Sequence, residues 1–346
     1  MSTIEVTSPF DGRVVGTVPF TTVEGVQQAI DTAYERFLDV DNWIPKYKRI
    51  EILENLMKIM SSQVEELTIL CASEGGKPYI DSKVEIQRAI NGIKIAIEQI
   101  GLQEGHEIAM GHTASSANRM AYTMKEPIGV VAAISAFNHP FNLAVHQVIP
   151  AIAVGCPVII RPATQTPMSA LKLVELLKEA GLPQGWAQAV VCDRQGGELL
   201  VTSPKTAFFT FIGSGPVGWY LNSKASAGTR SALEHGGVAP VIVEPDADIE
   251  AMIPDLVKGG FYHAGQVCVS VQRIFVHESL ADIVASKIAE KASKLIVGDQ
   301  LDPKTEVGPL INHNEVNRVE EWVNEAVIKG GKILTGGKRI SDSCFE

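Results

Sequence analysis

Several things are scarce in this sequence, and each scarcity excludes a class of protein. Among 346 residues there are five cysteines, Cys71, Cys156, Cys192, Cys268 and Cys344, an odd and scattered set with no C-x-x-C pair. None has a histidine at metal-ligand spacing, so a disulfide scaffold is excluded and no metal site is expected. No apolar run approaches the roughly 18 residues of a membrane span. The start, MSTIEVTSPFDGRVVG, has neither the basic nor the apolar region of a leader, and the expected location is the cytoplasm. Basic residues number 30 against 40 acidic, and no Lys/Arg cluster breaks the net charge of −10, so neither nucleic acid nor a membrane is an expected partner. With 6% aromatic, 20% charged and 45% hydrophobic residues, the composition is that of a folded protein, not a disordered, collagen-like or coiled-coil chain. At roughly 150 residues per domain, the length allows two domains or slightly more.

What is present falls into three stretches. From about Val23 to Ile100 apolar residues recur at three- and four-residue intervals, which predicts helices, and nothing there suggests chemistry. RMAYTMKEPIG then alternates like a strand. Apolar runs follow, GVVAAIS, CPVIIRP, QAVVC, TAFFTFIG and more weakly TRSALE, with helix-like segments such as NLAVHQVIPAIAV and MSALKLVELLKEAG between them. Continuously apolar strands alternating with helices predict a parallel sheet covered on both faces, a doubly wound, Rossmann-like α/β domain. A second α/β segment begins near Pro240 with VIVEPD and continues through IEAMIPDLVKGGFYHAG, QRIFVHE and helices over 280–295 and 314–329. Ligands of open α/β sheets bind beyond the carboxyl ends of the strands. The residues there are Asn138, Arg161, Gly196, Gly197, Gly213, Ser214 and Glu234.

Cys71 and Cys156 lie inside apolar runs and read as core. Cys268 differs: in HAGQVCVSVQR it lies on a connection between a helix and a strand, where a thiol can approach a ligand. Glu234, in SALEHGG, precedes two glycines that let backbone approach closely, although alone it reads as a surface or capping carboxylate. Asn138, in SAFNHPFN, alone reads as a turn or N-cap residue. FIGSGPVG is a glycine-containing strand-to-helix turn whose amides can face a pyrophosphate, but it is not G-x-G-x-x-G. Together, a thiol nucleophile, a carboxylate base, an amide for an oxyanion and a dinucleotide-type sheet are the parts for covalent oxidation of a carbonyl compound.

On these residues, and on EPIGVVAAISAFNHPFNLAVHQVIPAIAVGCPVIIRPATQTP, LEHGGVAPVIV, GQVCVSVQRIFV and GDQLDPKTEVGPLI in that order, the chain resembles the aldehyde dehydrogenase superfamily. The resemblance implies that fold, with an aldehyde as substrate and a free carboxylic acid as product. Cys268 would attack as thiolate, with the Asn138 amide and the Cys268 N–H holding the oxyanion. Glu234, its pKa raised by burial, would activate the hydrolytic water; its presence disfavours the CoA-acylating branch, a lesser alternative. The implied cofactor is NAD or NADP, held by Ile134, Ser135, Arg161, Thr164, Gly197, Gly213, Ser214 and Val217. In RPAT, Thr164 stands where NAD-preferring members often carry Glu, and with Arg161 this should tolerate a 2′-phosphate. Asn142, Val267 and Val269 should line the aldehyde pocket, their neutrality suggesting no charge selection. His139 and His235 read as structural or pocket-lining residues.

The same resemblance implies a first domain over residues 1–235, with an oligomerisation strand near 117–128 and hence a homo-oligomer, dimer or tetramer, and a catalytic domain over 236–346. That second domain is expected to be C-terminally incomplete, because SDSCFE stops short of the E-I-F-G-P-type segment that holds the nicotinamide ribose. A shortened, weakly active or inactive member that keeps cofactor binding or assembly is therefore the alternative reading, and oligomerisation is expected to be perturbed by the missing tail.

Overall fold

The computed structural model describes residues 2–346. It opens with an antiparallel hairpin that the polar sequence does not announce, β1 (Thr3–Thr7) and β2 (Val14–Pro19). The helical periodicity then resolves into α1 (Val23–Leu38), α2 (Lys46–Ser62), α3 (Val64–Gly75) and α4 (Tyr79–Gly101). Thr22 caps α1, its hydroxyl accepting the Gly25 N–H at 3.3 Å. The chain leaves α3 through Gly76 at φ 72°, a conformation that glycine adopts without Cβ strain, and Pro78 follows. Within RMAYTMKEPIG the strand is short: β4 (Ala121–Tyr122) pairs antiparallel with β3 (Glu107–Ile108), leaving Met120, Tyr122 and Met124 exposed.

The five apolar runs form one parallel sheet. Its strands are β5 (Val130–Ile134), β6 (Val158–Arg161), β7 (Ala187–Ala189), β8 (Thr206–Gly213) and β9 (Arg230–His235), interleaved with α5 (Pro140–Ala153), α6 (Met168–Glu179), α7 (Arg194–Thr202) and α8 (Gly215–Lys224). The spatial order is β7-β6-β5-β8-β9. Strand alternation sorts the central residues by face. Val131, Ala133, Val158 and Ile160 pack with Phe141, Val145 and Val148 of α5 and the apolar faces of α2, α4 and α6. Val130, Ala132 and Ile159 meet Val26 and Ile30 of α1 and Leu200 of α7. Each fully buried large aliphatic side chain contributes about 1.5–3 kcal/mol, so this two-sided core is the main support of the molecule.

The remaining elements are β10 (Val241–Val243), α9 (Ile249–Phe261), β11 (Ile274–Val276), α10 (Ala281–Ala292) and α11 (His313–Ile328). β10 and β11 pair in parallel as a two-stranded sheet. Its core is small, Ile253, Val257 and Val284, while Ile242 is 72% and Phe275 57% exposed. Among the described residues no helix is long and apolar enough to cross a membrane.

Candidate active site

From β5 the chain steps to β6 and β7 on one side and then returns to β8 and β9 on the other, so the crevice of the sheet lies over the end of β5. Most of the residues expected there converge. The Ser135 N–H donates to the Arg161 carbonyl at 3.0 Å, and the Ser135 hydroxyl is buried with no partner. Gln147, from α5, donates to the Ile134 carbonyl at 3.1 Å and the Thr210 carbonyl at 3.2 Å. Arg161 donates to the Cys192 carbonyl at 3.1 Å. A Cβ on Gly197 would stand 2.9 Å from Arg161 Cδ, so α7 reaches this side chain only through a glycine. Thr164 is exposed on the turn after β6. Gly213 ends β8, Ser214 N-caps α8 with its hydroxyl unused, and Val217 is exposed in the first turn of α8. An orphaned buried hydroxyl, a free capping hydroxyl and the unpaired amides of a helix N-terminus are the donors a dinucleotide pyrophosphate takes, and these residues fit NAD or NADP.

Opposite this edge, Asn138 meets the segment of the thiol. Its Nδ2 donates to the Gln266 carbonyl at 2.9 Å, two residues before Cys268. Gln266 is a hub that the sequence did not single out: its amide donates to the Pro309 carbonyl at 3.3 Å, and its Oε1 accepts the Ile311 N–H at 2.9 Å. Before it, His263 and Ala264 hold φ at 50° and 54°, the left-handed region, at a cost of order 1–3 kcal/mol each. Cys268 itself is exposed, on a turn closed by the Ser270 N–H donating to the Val267 carbonyl at 3.0 Å. Asn142 and Val267 are buried, whereas Val269 is exposed.

Glu234 lies near the end of β9, opposite Ile212 of β8. The burial expected for it does not hold: β9 is the edge strand, and Glu234 is exposed. His235, on the other face, stands edge-on to Phe211 and Trp219. Three residues after Glu234, a Cβ on Gly237 would lie 3.0 Å from the Cys268 carbonyl oxygen, and the Gln272 N–H donates to the Val238 carbonyl at 3.2 Å. The loop after β9 thus lies against the peptide of the thiol, through glycine.

The first hundred residues, silent in the sequence, also reach this site. Glu85 of α4 is buried and accepts the Phe141 and Asn142 N–H groups at 2.9 Å each, capping α5 from outside. Lys77 is fully buried, pairs with Glu85 and lies 3.5 Å from the Asn138 carbonyl. Burial pulls the Lys77 ammonium down to about 8, and the Cys71 and Asp81 side chains oppose that fall. Glu74 caps α6 in the same way, accepting the Met168 and Ser169 N–H groups at 2.8 Å, and burial pushes it up to about 7. His139 stacks on Tyr262 with ring centroids 5.8 Å apart and meets its hydroxyl at 3.3 Å. Burial holds His139 neutral, its pKa down to about 2, and holds the fully buried His263 well below its usual range. A pairing of i, i+8 charges across a glycine-proline break was the one available signal for Lys77 and Glu85. Two cavities, one of about 600 Å³ between α1 and the α6–β7 connection and one of about 420 Å³ between α10 and α11, lie away from these residues.

The sequence profile of the Aldehyde dehydrogenase family matches residues 1–345. The chain belongs to the aldehyde dehydrogenase family. This aldehyde dehydrogenase is 39% identical over 337 residues to the 3-sulfolactaldehyde dehydrogenase of Priestia aryabhattai, a match that covers 97% of this chain and 70% of the relative. Aldehyde dehydrogenase 21 of Physcomitrella patens, solved with its reaction product succinate, superposes with a TM-score of 0.94 at 34% identity, over 100% of this chain and 72% of that one. A glyceraldehyde-3-phosphate dehydrogenase of Methanocaldococcus jannaschii, complexed with NADP, gives a TM-score of 0.93 at 35% identity, over 99% and 74%. The family is one of NAD(P)-dependent enzymes that oxidise aldehydes, and the doubly wound fold expected from the sequence is the fold of these relatives.

Proposed function

We propose that this chain oxidises a small aldehyde to the carboxylic acid through a covalent intermediate on Cys268. The single observation that carries the assignment is the Asn138–Gln266 hydrogen bond of 2.9 Å, which links the loop after β5 to the turn of Cys268 across two separate regions of sequence. The Cys268 sulfur adds to the aldehyde carbon, and the resulting oxyanion takes hydrogen bonds from the Asn138 amide and the Cys268 N–H. Bound NAD or NADP supplies the hydride acceptor, and Ser135, Arg161, Thr164, Gly197, Gly213, Ser214 and Val217, with the backbone of Ile134, are the residues we assign to hold it. Once the hydride has left, Cys268 carries a thioester. Glu234 takes a proton from the water that attacks it, and the thiolate leaves with the free acid formed. Solvent access at the edge strand gives Glu234 both its water and a route for the proton.

Thr164 beside Arg161 supports acceptance of NADP as well as NAD, since no carboxylate stands there against a 2′-phosphate. We further read residues 1–235 as the cofactor half and 236–346 as the catalytic half. The exposed Met120, Tyr122 and Met124 support a homo-oligomer joined through the β3–β4 hairpin. The free cysteines fit the reducing cytoplasm. The relatives named for 3-sulfolactaldehyde and solved with succinate support a small aldehyde that carries an acidic group.

The test is transient kinetics with NAD and NADP. Cys268→Ala should abolish NAD(P)H formation while leaving cofactor binding intact, and Glu234→Gln should slow release of the acid more than the NAD(P)H burst. Equal loss of both steps in the Glu234 variant would remove it as the base, and a fully active Cys268→Ala would remove the covalent route.

A further inference from the structure

The loop that carries Asn138 opens a helix that it does not cap. His139, the N-cap residue of α5, makes no side-chain bond to the first turn, and Pro140 after it has no N–H to satisfy. The next two N–H groups, those of Phe141 and Asn142, both donate to Oε1 of Glu85, at 2.9 Å each. The other oxygen of that carboxylate, Oε2, takes the Lys77 ammonium and accepts the Cys71 thiol at 3.3 Å. Lys77 in turn lies 3.5 Å from the Asn138 carbonyl oxygen, and its own carbonyl accepts the Ser82 hydroxyl at 3.1 Å. A Cβ on Gly75 would stand 3.8 Å from the Phe137 carbonyl oxygen, so the end of α3 borders the same loop. Both charges of the pair are closed off from solvent. A buried ion pair adds little stability over an apolar pair of similar volume, yet three contacts of this one fix backbone, at residues 138, 141 and 142. The backbone of Asn138 is thus set by residues 77 and 85, while its side chain meets Gln266.

We propose that Lys77 and Glu85 are positioning residues of the oxyanion site: the buried pair holds the backbone of residues 138–142 so that the Asn138 amide faces the oxygen of a carbonyl compound bonded to Cys268. The proposal rests on the roles given above to Cys268 and Asn138, and names what aims the amide. That amide has two N–H groups. One is committed to the Gln266 carbonyl at 2.9 Å, and the second is the donor for the oxyanion. Such a donor stabilises developing charge only if it is aimed beforehand, and a displacement of about 1 Å caused from outside the chemistry costs on the order of 100-fold. Lys77 and Glu85 therefore act through Asn138 and not on the reacting atoms.

The experiment is a double-mutant cycle in the full chain. Lys77→Met and Glu85→Gln are made together, which leaves neither charge buried alone and keeps an amide oxygen for the Phe141 and Asn142 N–H groups. This paired variant is then combined with Asn138→Ala. With Asn138 present, the paired variant should slow the NAD(P)H burst with butanal about 10- to 100-fold, while KM for butanal and Kd for the cofactor change less than about threefold. With Asn138→Ala in place, the same pair should slow the burst less than about threefold further, because the group it positions is gone. Glu85→Asp, which keeps the charge on a shorter side chain, should fall between the native chain and the paired variant, again only when Asn138 is present. Losses that multiply, a loss confined to KM, or no loss overturn the proposal. A second arm needs no hydride transfer. A trifluoromethyl ketone adds to Cys268, the sulfur–carbon bond forming as the carbonyl electron pair moves to oxygen and the thiol proton passes to solvent, and fluorine NMR reads the adduct. Its Kd should rise about 10- to 100-fold in the paired variant, with the same non-additivity toward Asn138→Ala. An adduct that follows this pattern in a chain that oxidises no aldehyde sustains the positioning and rejects the oxidising role. Normal oxidation with losses that multiply rejects the positioning alone, and a native chain that gives neither adduct nor NAD(P)H overturns both.

Discussion

In the five-stranded sheet the central strand β5 is buried along its whole length, with α5 and α6 on one face and α1 and α7 on the other. After it, β10 and β11 form a two-stranded sheet with Ile242 and Phe275 in solvent, over a core of three buried side chains. Asn138 is therefore carried by the thick region and Cys268 by the thin one. The thin region is held in register largely by polar bonds to the thick one. Asn138 reaches Gln266, Lys258 reaches Asp81, the Tyr79 N–H donates to the Gln300 carbonyl at 2.7 Å, and the Ser343 hydroxyl donates to the Phe10 carbonyl at 2.8 Å. The difference teaches that the turn of Cys268 is positioned from across the interface more than from beneath. A turn with left-handed residues at His263 and Ala264 is tolerable there because Gln266 fixes its far end.

The largest expected effect breaks this comparison at its base. Phe209→Ala, fully buried on β8 of the five-stranded sheet, should cost about 3–5 kcal/mol, and Ile253→Ala in the thin core about 2 kcal/mol, at the lower end for such truncations. Urea midpoints measure both, and equal costs would mean that the β10–β11 region has better support than its buried side chains indicate.

Next are the two ion pairs. Lys77→Met leaves the Glu85 carboxylate buried without its cation and should cost about 3–5 kcal/mol. Lys258→Met removes a half-exposed lysine that bridges the two regions and should cost about 1 kcal/mol or less. Melting curves decide the stability ranking, and the comparison sharpens if Lys258→Met shifts kcat while leaving Tm nearly unchanged.

The smallest effect is in the pH dependence. His139 and His263 have depressed folded pKa values, so the stability they carry is present above the unfolded value near 6.5 and is lost as pH falls below it. Each contributes a slope of about 1.4 kcal/mol per pH unit. Glu74 has the opposite sign: raised to about 7 from 4.5, it favours folding at low pH and loses that contribution as pH rises through 7. Between about 4.5 and 6.5 two histidines oppose one glutamate, and the net should be a loss of about 1.4 kcal/mol per unit toward acid. His139→Phe should flatten that slope, checked by urea unfolding at pH 5.0, 5.5 and 6.0, and an unchanged slope would place a compensating charge at the interface.

Much of this was legible in the residues. The five strands of the sheet are the five apolar runs, because a strand buried on both faces must be continuously apolar. Their carboxyl ends mark Ser135, Asn138, Arg161 and Ser214 for the same reason. The hairpin β1–β2 was not legible, since its strands are half exposed and lack a strong alternation. Nor were Lys77, in the connection before α4, and Glu85, on α4, whose charges look like those of any solvated face. Glu234 was legible as a residue but not in its environment, because an edge position depends on which strand ends the sheet.

Sequence alone determined the order of strands and helices in the five-stranded sheet and the family, because local periodicity and motif chemistry are written along the chain. Only the tertiary structure decided that Glu234 is exposed and that Gln266 ties the turn of Cys268 to Asn138. Those facts depend on which groups from distant segments are neighbours, and burial, pairing and charge are properties of neighbours, not of order along the chain.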